Sequence, residues 1–120
     1  MSAKRVQRKR SIGYRLPPGT VYVGRPTKWG NPFKEIGDNV FVTTDARWVY
    51  YGSIAQTGGA AKLFRDMLMD LRSHKVNDDV YARFRLMRDT HKDLAGKDLA
   101  CFCPLSTKCH ADALLELNSK

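Results

Sequence analysis

The chain has 120 residues, of which 21 are lysine or arginine and 12 are aspartate or glutamate, giving a formal net charge of +9. This length corresponds to one ordinary domain, which can close a hydrophobic core without disulfides or metal. No apolar run approaches the roughly 20 residues that span a bilayer, and the N-terminus has no apolar signal segment. We therefore expect one cytoplasmic domain with no membrane partner, whose three cysteines are thiols.

The positive excess lies in the first quarter of the chain. Nine basic residues precede Glu35 with no acid among them, and the 12 basic residues that follow are balanced by 12 acids. Such an excess attracts polyanions, so we interpret residues 1–16 as a basic arm before a domain at 17–120. The arm residues expected to contact nucleic acid are Lys4, Arg5, Arg8, Lys9, Arg10 and Arg15. The alternative is a solvated terminus that only keeps the protein soluble.

The first predicted element is a strand at residues 20–23, which are β-branched or aromatic and lie between two glycines. Residues 40–43 predict a second strand. A helix is predicted next, because apolar residues then recur at helical spacing up to the Gly58-Gly59 pair. Its apolar positions are Ala46, Val49, Tyr50 and Ile54, after a cap at Thr44 or Asp45.

The second half of the chain predicts three further helices and one strand. A helix begins near Ala60, and another begins at Asn77 or Asp78 and ends at Gly96. Residues 98–103 predict a strand and residues 111–117 a terminal helix. This order indicates an α/β domain whose short sheet is covered by helices. Because a long helical crossover separates the first and last strands, we expect them to pair in parallel.

Parallel pairing would bring two loops to the carboxyl edge of the sheet, where open α/β sheets bind ligands. In the first loop, Arg25 and Lys28 suit phosphate or carboxylate, Trp29 offers a stacking face, and Asn31 can both donate and accept hydrogen bonds. These residues predict a nucleotide-binding loop. The alternative is a rigid Gly/Pro loop whose aromatic side chains fill the core.

The second loop holds every cysteine of the chain, at Cys101, Cys103 and Cys109, with His110 following directly. The cysteines could be small buried hydrophobic residues, or all four side chains could bind zinc, although this spacing differs from paired C-x-x-C motifs. Cys109 could instead be a nucleophile at a helix N-terminus, with His110 as base and Asp112 as its orienting group. The same helix N-terminus could also hold an anion without turnover.

Several unusual motifs occur in order along the chain: residues 21–26 (VYVGRP), 29–33 (WGNPF), 101–105 (CFCPL) and 109–112 (CHAD). Together they resemble a family of small bacterial and phage proteins called domain of unknown function DUF4326. The resemblance implies a recurring unit with two signature loops and a role for the Cys/His residues, without naming a reaction.

The sequence thus predicts a small α/β protein that binds a nucleotide or nucleic acid and that could process a nucleotide or nucleoside substrate at Cys109, His110 and Asp112. The alternative is an accessory protein without enzymatic activity, either a zinc-stabilised nucleic-acid-binding module or an inhibitor of a host protein. Zinc belongs only to the alternative interpretation, and the oligomeric state is left open.

Overall fold

A computed structural model describes residues 3–44 and 47–119 of the chain. The strands are β1 (Arg5–Gln7), β2 (Thr20–Tyr22), β3 (Phe33–Ile36), β4 (Asn39–Thr44), β5 (Arg47–Ser53) and β6 (Asp98–Cys101). The α-helices are α1 (Ile54–Thr57), α2 (Ala60–Met69), α3 (Asp78–Thr90) and α4 (His110–Asn118), and α3 is followed by a 3₁₀ turn at His91–Leu94. This is the single small α/β domain that the sequence predicts. Within the described ranges, no helix is long and apolar enough to cross a membrane.

The first sheet is parallel, with β6 between β1 and β2. Strand β6 is the apolar one of the three, and its Leu99 and Ala100 are fully buried. The predicted parallel pairing of the strands at residues 20–23 and 98–103 is therefore confirmed, with Val21 opposite Leu99. Beyond β2, the Val23 amide donates to the Ala100 carbonyl at 2.9 Å, which carries the pairing to the edge where both loops leave the sheet.

Strand β1 is a feature that the sequence did not predict. The segment interpreted as a basic arm contributes Arg5–Gln7 to the sheet, with Val6 opposite Ala100. Backbone hydrogen bonds extend this pairing on both sides, from Leu99 to the Lys4 carbonyl at 3.0 Å and from Arg8 to the Cys101 carbonyl at 2.8 Å. The first basic residues are thereby held against the end of β6.

The second sheet is antiparallel, in the order β3-β4-β5. Its first turn consists of Gly37 and Asp38, and Gly37 takes a φ of +60° that glycine adopts without strain. The predicted strand at 40–43 is confirmed within β4. The predicted helix over Val49 and Tyr50 is wrong, because these residues pair with β4, and only the short helix α1 begins at Ile54. The expected positions Asp45 and Ala46 lie outside the described residues.

The helices predicted near Ala60, at Asn77 or Asp78 and at residues 111–117 are confirmed as α2, α3 and α4. Asn77 is the N-cap of α3, where its side chain accepts the Val80 amide at 3.0 Å. Helix α2 is central, since it packs against α3, α4 and β3. The largest fully buried side chains of the helices are Leu63, Phe64, Met67, Leu68, Val80, Phe84, Met87 and Leu114. This packing fixes the N-termini of α2 and α4 beside the carboxyl edge of the parallel sheet.

Candidate functional site

The segments that follow β2 and β6 enclose a cavity of about 450 Å³, which we call the loop cavity. Its walls come from residues 22–35 and 101–110, from Arg10, and from the first residues of α2, Ala60 and Ala61. The parallel pairing of β2 and β6 brings these two segments together, as the sequence predicted. The volume lies within the range of about 300–1,000 Å³ that is usual for sites of small molecules.

Four cationic side chains line the loop cavity, namely Arg10, Arg25, Lys34 and Lys108. Among the described residues that line it, Glu35 supplies the one carboxylate. Oxygen Oε2 of Glu35 accepts the Ala60 amide at the N-terminus of α2, at 2.8 Å. This hydrogen bond at a helix N-terminus stabilises the ionised carboxylate, and the four cations outnumber it.

Two aromatic rings, Tyr22 and Phe102, form part of the same wall and meet edge to face with their centres 5.8 Å apart. The guanidinium of Arg10 lies 4.1 Å from the ring centre of Phe102, and that of Arg8 lies 4.5 Å from the ring centre of Tyr22. Burial raises the pKa of Tyr22, so its hydroxyl stays protonated and donates to the Arg25 carbonyl at 2.9 Å. The wall thus alternates planar apolar faces with planar cations.

The four first-loop residues that were expected to bind ligand differ in whether they line the loop cavity. Arg25 and Asn31 line the loop cavity, whereas Lys28 and Trp29 do not. Trp29 is only 5 % exposed and belongs to the core, so the expected stacking face is not on the cavity wall. Lys28 lies over the Trp29 ring and 3.9 Å from the carboxylate of Asp93. This part of the loop follows the alternative interpretation, in which its aromatic residue fills the core.

Asn31 and Arg25 also hold the first loop in shape. The Asn31 side chain donates to the Ala60 carbonyl at 3.0 Å and accepts the Phe33 amide at 2.9 Å. Arg25 donates to the Asn31 carbonyl at 3.0 Å and more weakly to that of Phe33 at 3.3 Å. An added side-chain carbon at Gly30 would lie 3.1 Å from the Arg25 Cα, so Gly30 is needed for the loop's own backbone packing.

Three aromatic residues at or beside the site were missed by sequence reasoning. Trp48 of β5 lies under two of the cavity cations, with Lys34 Nζ 4.4 Å and the Arg25 guanidinium 5.3 Å from its ring. Because this segment was predicted to be helical, the sequence did not indicate that Trp48 pairs with Thr43 of β4. Phe102 and Tyr22 were also missed, although Phe102 sits between two cysteines and Tyr22 ends the first predicted strand.

The basic residues expected to form a nucleic-acid arm have different roles in the structure. Arg10 lines the loop cavity, Arg8 contacts Tyr22, and Lys4, Lys9 and Arg15 are exposed. The Arg5 side chain is only 8 % exposed.

Arg5 is instead tied to the segment that connects β6 with α4. Its guanidinium donates to the carbonyls of Leu105 at 2.7 Å, Thr107 at 2.8 Å and Pro104 at 3.2 Å. It also forms an ion pair with Asp112 of α4 at 3.2 Å. Arg5 therefore links the N-terminal strand to the loop that joins Cys103 to Cys109.

The Cys/His residues come together where β6 ends and α4 begins. Cys101 is the last residue of β6, Cys109 is the N-cap of α4, and His110 is its first residue. The three Sγ atoms lie within 4.8 Å of one another, with 3.7 Å between those of Cys101 and Cys103. His110 Nδ1 lies 3.6 Å from the Cys109 Sγ. We call these four residues the Cys/His cluster, which forms one wall of the loop cavity.

The orientation of the His110 ring is set by the backbone of the first loop. Its Nε2 lies 2.7 Å from the Val23 carbonyl oxygen, which can only accept, so Nε2 carries a proton. In the neutral ring, Nδ1 then presents a lone pair toward Cys109. The expected hydrogen bond from His110 to Asp112 is not among those of the described residues. Asp112 Oδ2 instead accepts from Arg5 and, at 3.3 Å, from the Cys109 amide.

The three thiols influence one another strongly. A hydrogen bond from Cys109 lowers the pKa of Cys101 to about 3 and outweighs the opposing effect of burial. The bond to Cys101 in turn raises the pKa of Cys109 far above its ordinary value, with burial adding to the shift, and burial raises the pKa of Cys103. Neighbouring sulfur atoms thus disfavour a second negative charge among them, and a cation between them would favour ionisation of all three.

The fold and site define a class, a small α/β domain in which a cationic cavity adjoins a cluster of three cysteines and a histidine. The chain belongs to the family described as domain of unknown function (DUF4326), which it matches over residues 6–120. Comparison with curated proteins and with solved structures gave no match. Family membership agrees with the resemblance inferred from the motifs and names no ligand.

Proposed function

We propose that this protein binds a nucleoside phosphate in the loop cavity. The observation that carries the proposal is the combination of four cations, one engaged carboxylate and two aromatic faces around a space of about 450 Å³. Cations anchor the phosphate, since Arg25 and Arg10 present planar donors and Lys34 and Lys108 present point charges. Among the described lining residues, the one carboxylate, that of Glu35, is outnumbered by these cations.

The aromatic rings favour a nucleotide over a simple inorganic anion. Tyr22 and Phe102 offer faces on which a base can stack, and such stacking contributes about 1–3 kcal/mol per base. The guanidinium groups of Arg8 and Arg10 lie over these rings, and that of Arg10, an exposed residue, can turn toward a phosphate. A ligand with both a planar base and a negative charge can contact the aromatic rings and the cationic side chains at the same time.

Binding without turnover is the function that this geometry supports best. The His110 ring nitrogens contact the Val23 carbonyl and the Cys109 sulfur, and Asp112 is held by Arg5. The raised pKa of Cys109, caused by its bond to Cys101 and by burial, disfavours the thiolate that a nucleophile at this position needs. The Cys/His cluster therefore serves in our proposal as a wall of the cavity, and the ligand is held rather than cleaved.

Calorimetric titration of the reduced protein tests the proposal with four probes of graded chemistry. These are inorganic phosphate, a nucleoside, the corresponding nucleoside monophosphate and a short single-stranded oligonucleotide. We expect the monophosphate to bind more tightly than either the phosphate or the nucleoside, because it engages cations and aromatic rings together. Lys34→Gln and Lys108→Gln should each weaken it about fivefold, which corresponds to about 1 kcal/mol for one partly solvated charge.

Lys97→Gln is the matched control, because Lys97 is exposed and does not line the loop cavity. It removes the same charge and should leave the dissociation constant unchanged. Two results would contradict the proposal. One is that no probe binds. The other is that the oligonucleotide alone binds, with an affinity that both cavity variants leave intact, since the exposed basic residues would then form the binding surface without the cavity.

A further inference from the structure

The geometry points to a zinc ion bound tetrahedrally by Cys101 Sγ, Cys103 Sγ, Cys109 Sγ and His110 Nδ1. Three of the donors belong to rigid elements, Cys101 to the end of β6 and Cys109 and His110 to the start of α4, and Cys103 lies in the loop at 102–108 between them. Three thiolates and one imidazole form a ligand set that zinc takes in structural sites. This inference concerns the Cys/His cluster itself and does not depend on the proposed nucleotide.

Two pairs of donor atoms are already at the spacing that a tetrahedral zinc ion requires. With bonds of about 2.3 Å to sulfur and about 2.0–2.1 Å to nitrogen, ideal tetrahedral angles place two sulfur ligands about 3.8 Å apart and a sulfur and a nitrogen about 3.6 Å apart. The Cys101 and Cys103 sulfurs are 3.7 Å apart, and Cys109 Sγ lies 3.6 Å from His110 Nδ1. All three sulfurs lie within 4.8 Å of one another, so only small rotations of side chains would complete the site.

The surroundings of His110 are those of a metal ligand. Histidines that bind metals usually donate their other ring N–H to a carbonyl or carboxylate, which fixes the tautomer and the direction of the free lone pair. His110 Nε2 makes such a bond to the Val23 carbonyl at 2.7 Å, and the residue is only 6 % exposed. The first loop thereby directs Nδ1 toward the cysteine sulfurs.

The connecting loop is also held in place from outside the cluster. Arg5 donates to three of its carbonyl groups, at Pro104, Leu105 and Thr107. This arrangement keeps Cys103 and Cys109 close although five residues separate them. With four protein donors, the zinc ion would have no open coordination position, so its role would be structural. It would fix Phe102 and Lys108, both of which line the loop cavity.

Elemental analysis of the untagged, reduced full-length chain is the first test, and we expect one zinc per chain. Titration of the chelated protein with Co²⁺ should give the intense visible bands of tetrahedral cobalt and a sulfur-to-cobalt charge-transfer band, saturating at one equivalent. Cys103→Ser removes the most accessible of the three thiolates. It should weaken zinc binding by more than the roughly 10- to 100-fold that loss of an outer hydrogen-bond partner costs.

His110→Gln and His91→Gln form a matched pair. His91 is half-buried and hydrogen-bonded to Asn118 at 2.8 Å, away from the cysteines, so its variant should keep the full zinc content. His110→Gln should lose zinc or bind it much more weakly. Because either variant could be unstable, the cobalt titration of the unaltered chain provides an independent result.

Three outcomes would overturn the zinc site. The folded, reduced chain could take up neither zinc nor cobalt, or Cys103→Ser and His110→Gln could both retain full zinc affinity. Intact mass could also show the loss of two hydrogens in the chain purified without reductant, with the disulfide mapped within Cys101–Cys109. The nucleotide titration measures a different ligand from the metal analyses, so either proposal can fail while the other stands.

Discussion

Replacing Arg5 with methionine should destabilise the protein by about 2–3 kcal/mol. The guanidinium makes three hydrogen bonds to loop carbonyls and an ion pair with Asp112, and the Arg5 side chain is only 8 % exposed. Hydrogen bonds to a charged group contribute about 1.5–3 kcal/mol each when buried. The loop carbonyls and Asp112 are exposed, so water replaces much of what is lost, and we assign the whole set about the strength of one such bond.

Thermal unfolding and urea unfolding measure this loss. For a domain of this size, about 2–3 kcal/mol corresponds to a fall of about 10 °C in the melting temperature. Lys9→Met is the control, because Lys9 is exposed in the same basic segment and its replacement removes the same charge. Arg5→Lys should behave almost like Arg5→Met, since one ammonium group cannot reach all four acceptors. A loss below about 0.5 kcal/mol in Arg5→Met, or an equal loss in Lys9→Met, would refute the linking role of Arg5.

Two further predictions concern residues away from the cysteines. Asn31→Ala should lower the free energy of unfolding by about 2–3 kcal/mol in urea melts, because the Ala60 carbonyl and the Phe33 amide both lose a buried partner. An effect on ligand affinity alone would contradict this. Burial opposes ionisation of Asp66, but hydrogen bonds from His74 and Lys62 outweigh it and lower the pKa below its ordinary 3.8. The ionised form therefore stabilises the fold above the unfolded-state pKa, and this stabilisation is lost as the pH falls through the folded value. Acid should destabilise the parent chain more steeply than Asp66→Asn between about pH 5 and pH 3, and equal slopes would show the prediction to be wrong.

The elements predicted correctly from sequence are those whose own residues carry a strong pattern. Phe64, Met67 and Leu68 recur at helical spacing in α2, and all three are fully buried. Strand β6 was recognisable because the central strand of a parallel sheet is buried on both faces and is correspondingly apolar. The parallel pairing then followed from the length of the crossover, and with it the meeting of the two loops.

The elements that were missed or wrongly predicted depend on tertiary contacts. Strand β1 has one apolar residue, Val6, and exists because β6 offers it an unpaired edge, which no local pattern records. Val49 and Tyr50 fell at helical spacing, yet the run Trp48-Val49-Tyr50-Tyr51 consists of β-branched and aromatic residues that pair well across a hairpin. In this case cross-strand pairing outweighed a short-range periodicity.

The candidate site was likewise predicted only in part from the sequence. Sequence spacing identified the four residues of the Cys/His cluster, but the decisive geometry depends on the Val23 carbonyl, 87 positions away from His110. Trp29 was expected to offer a stacking face, with a place in the core as the alternative, and the fold buries it. Sequence alone could not decide between these outcomes, because an aromatic residue in a glycine-rich loop suits both a core and a ligand.

The most direct test of the central claim is to map where a nucleoside monophosphate binds, using amide NMR spectra of the isotope-labelled protein during a titration. The proposed function predicts saturable shifts at residues lining the loop cavity, such as Gly24, Lys34, Ala61 and Phe102. It also predicts that Lys108→Gln weakens these shifts in parallel. Shifts confined to the exposed segment around Lys9 and Arg15, or no shifts at ligand concentrations of about 1 mM, where even weak complexes form, would contradict it.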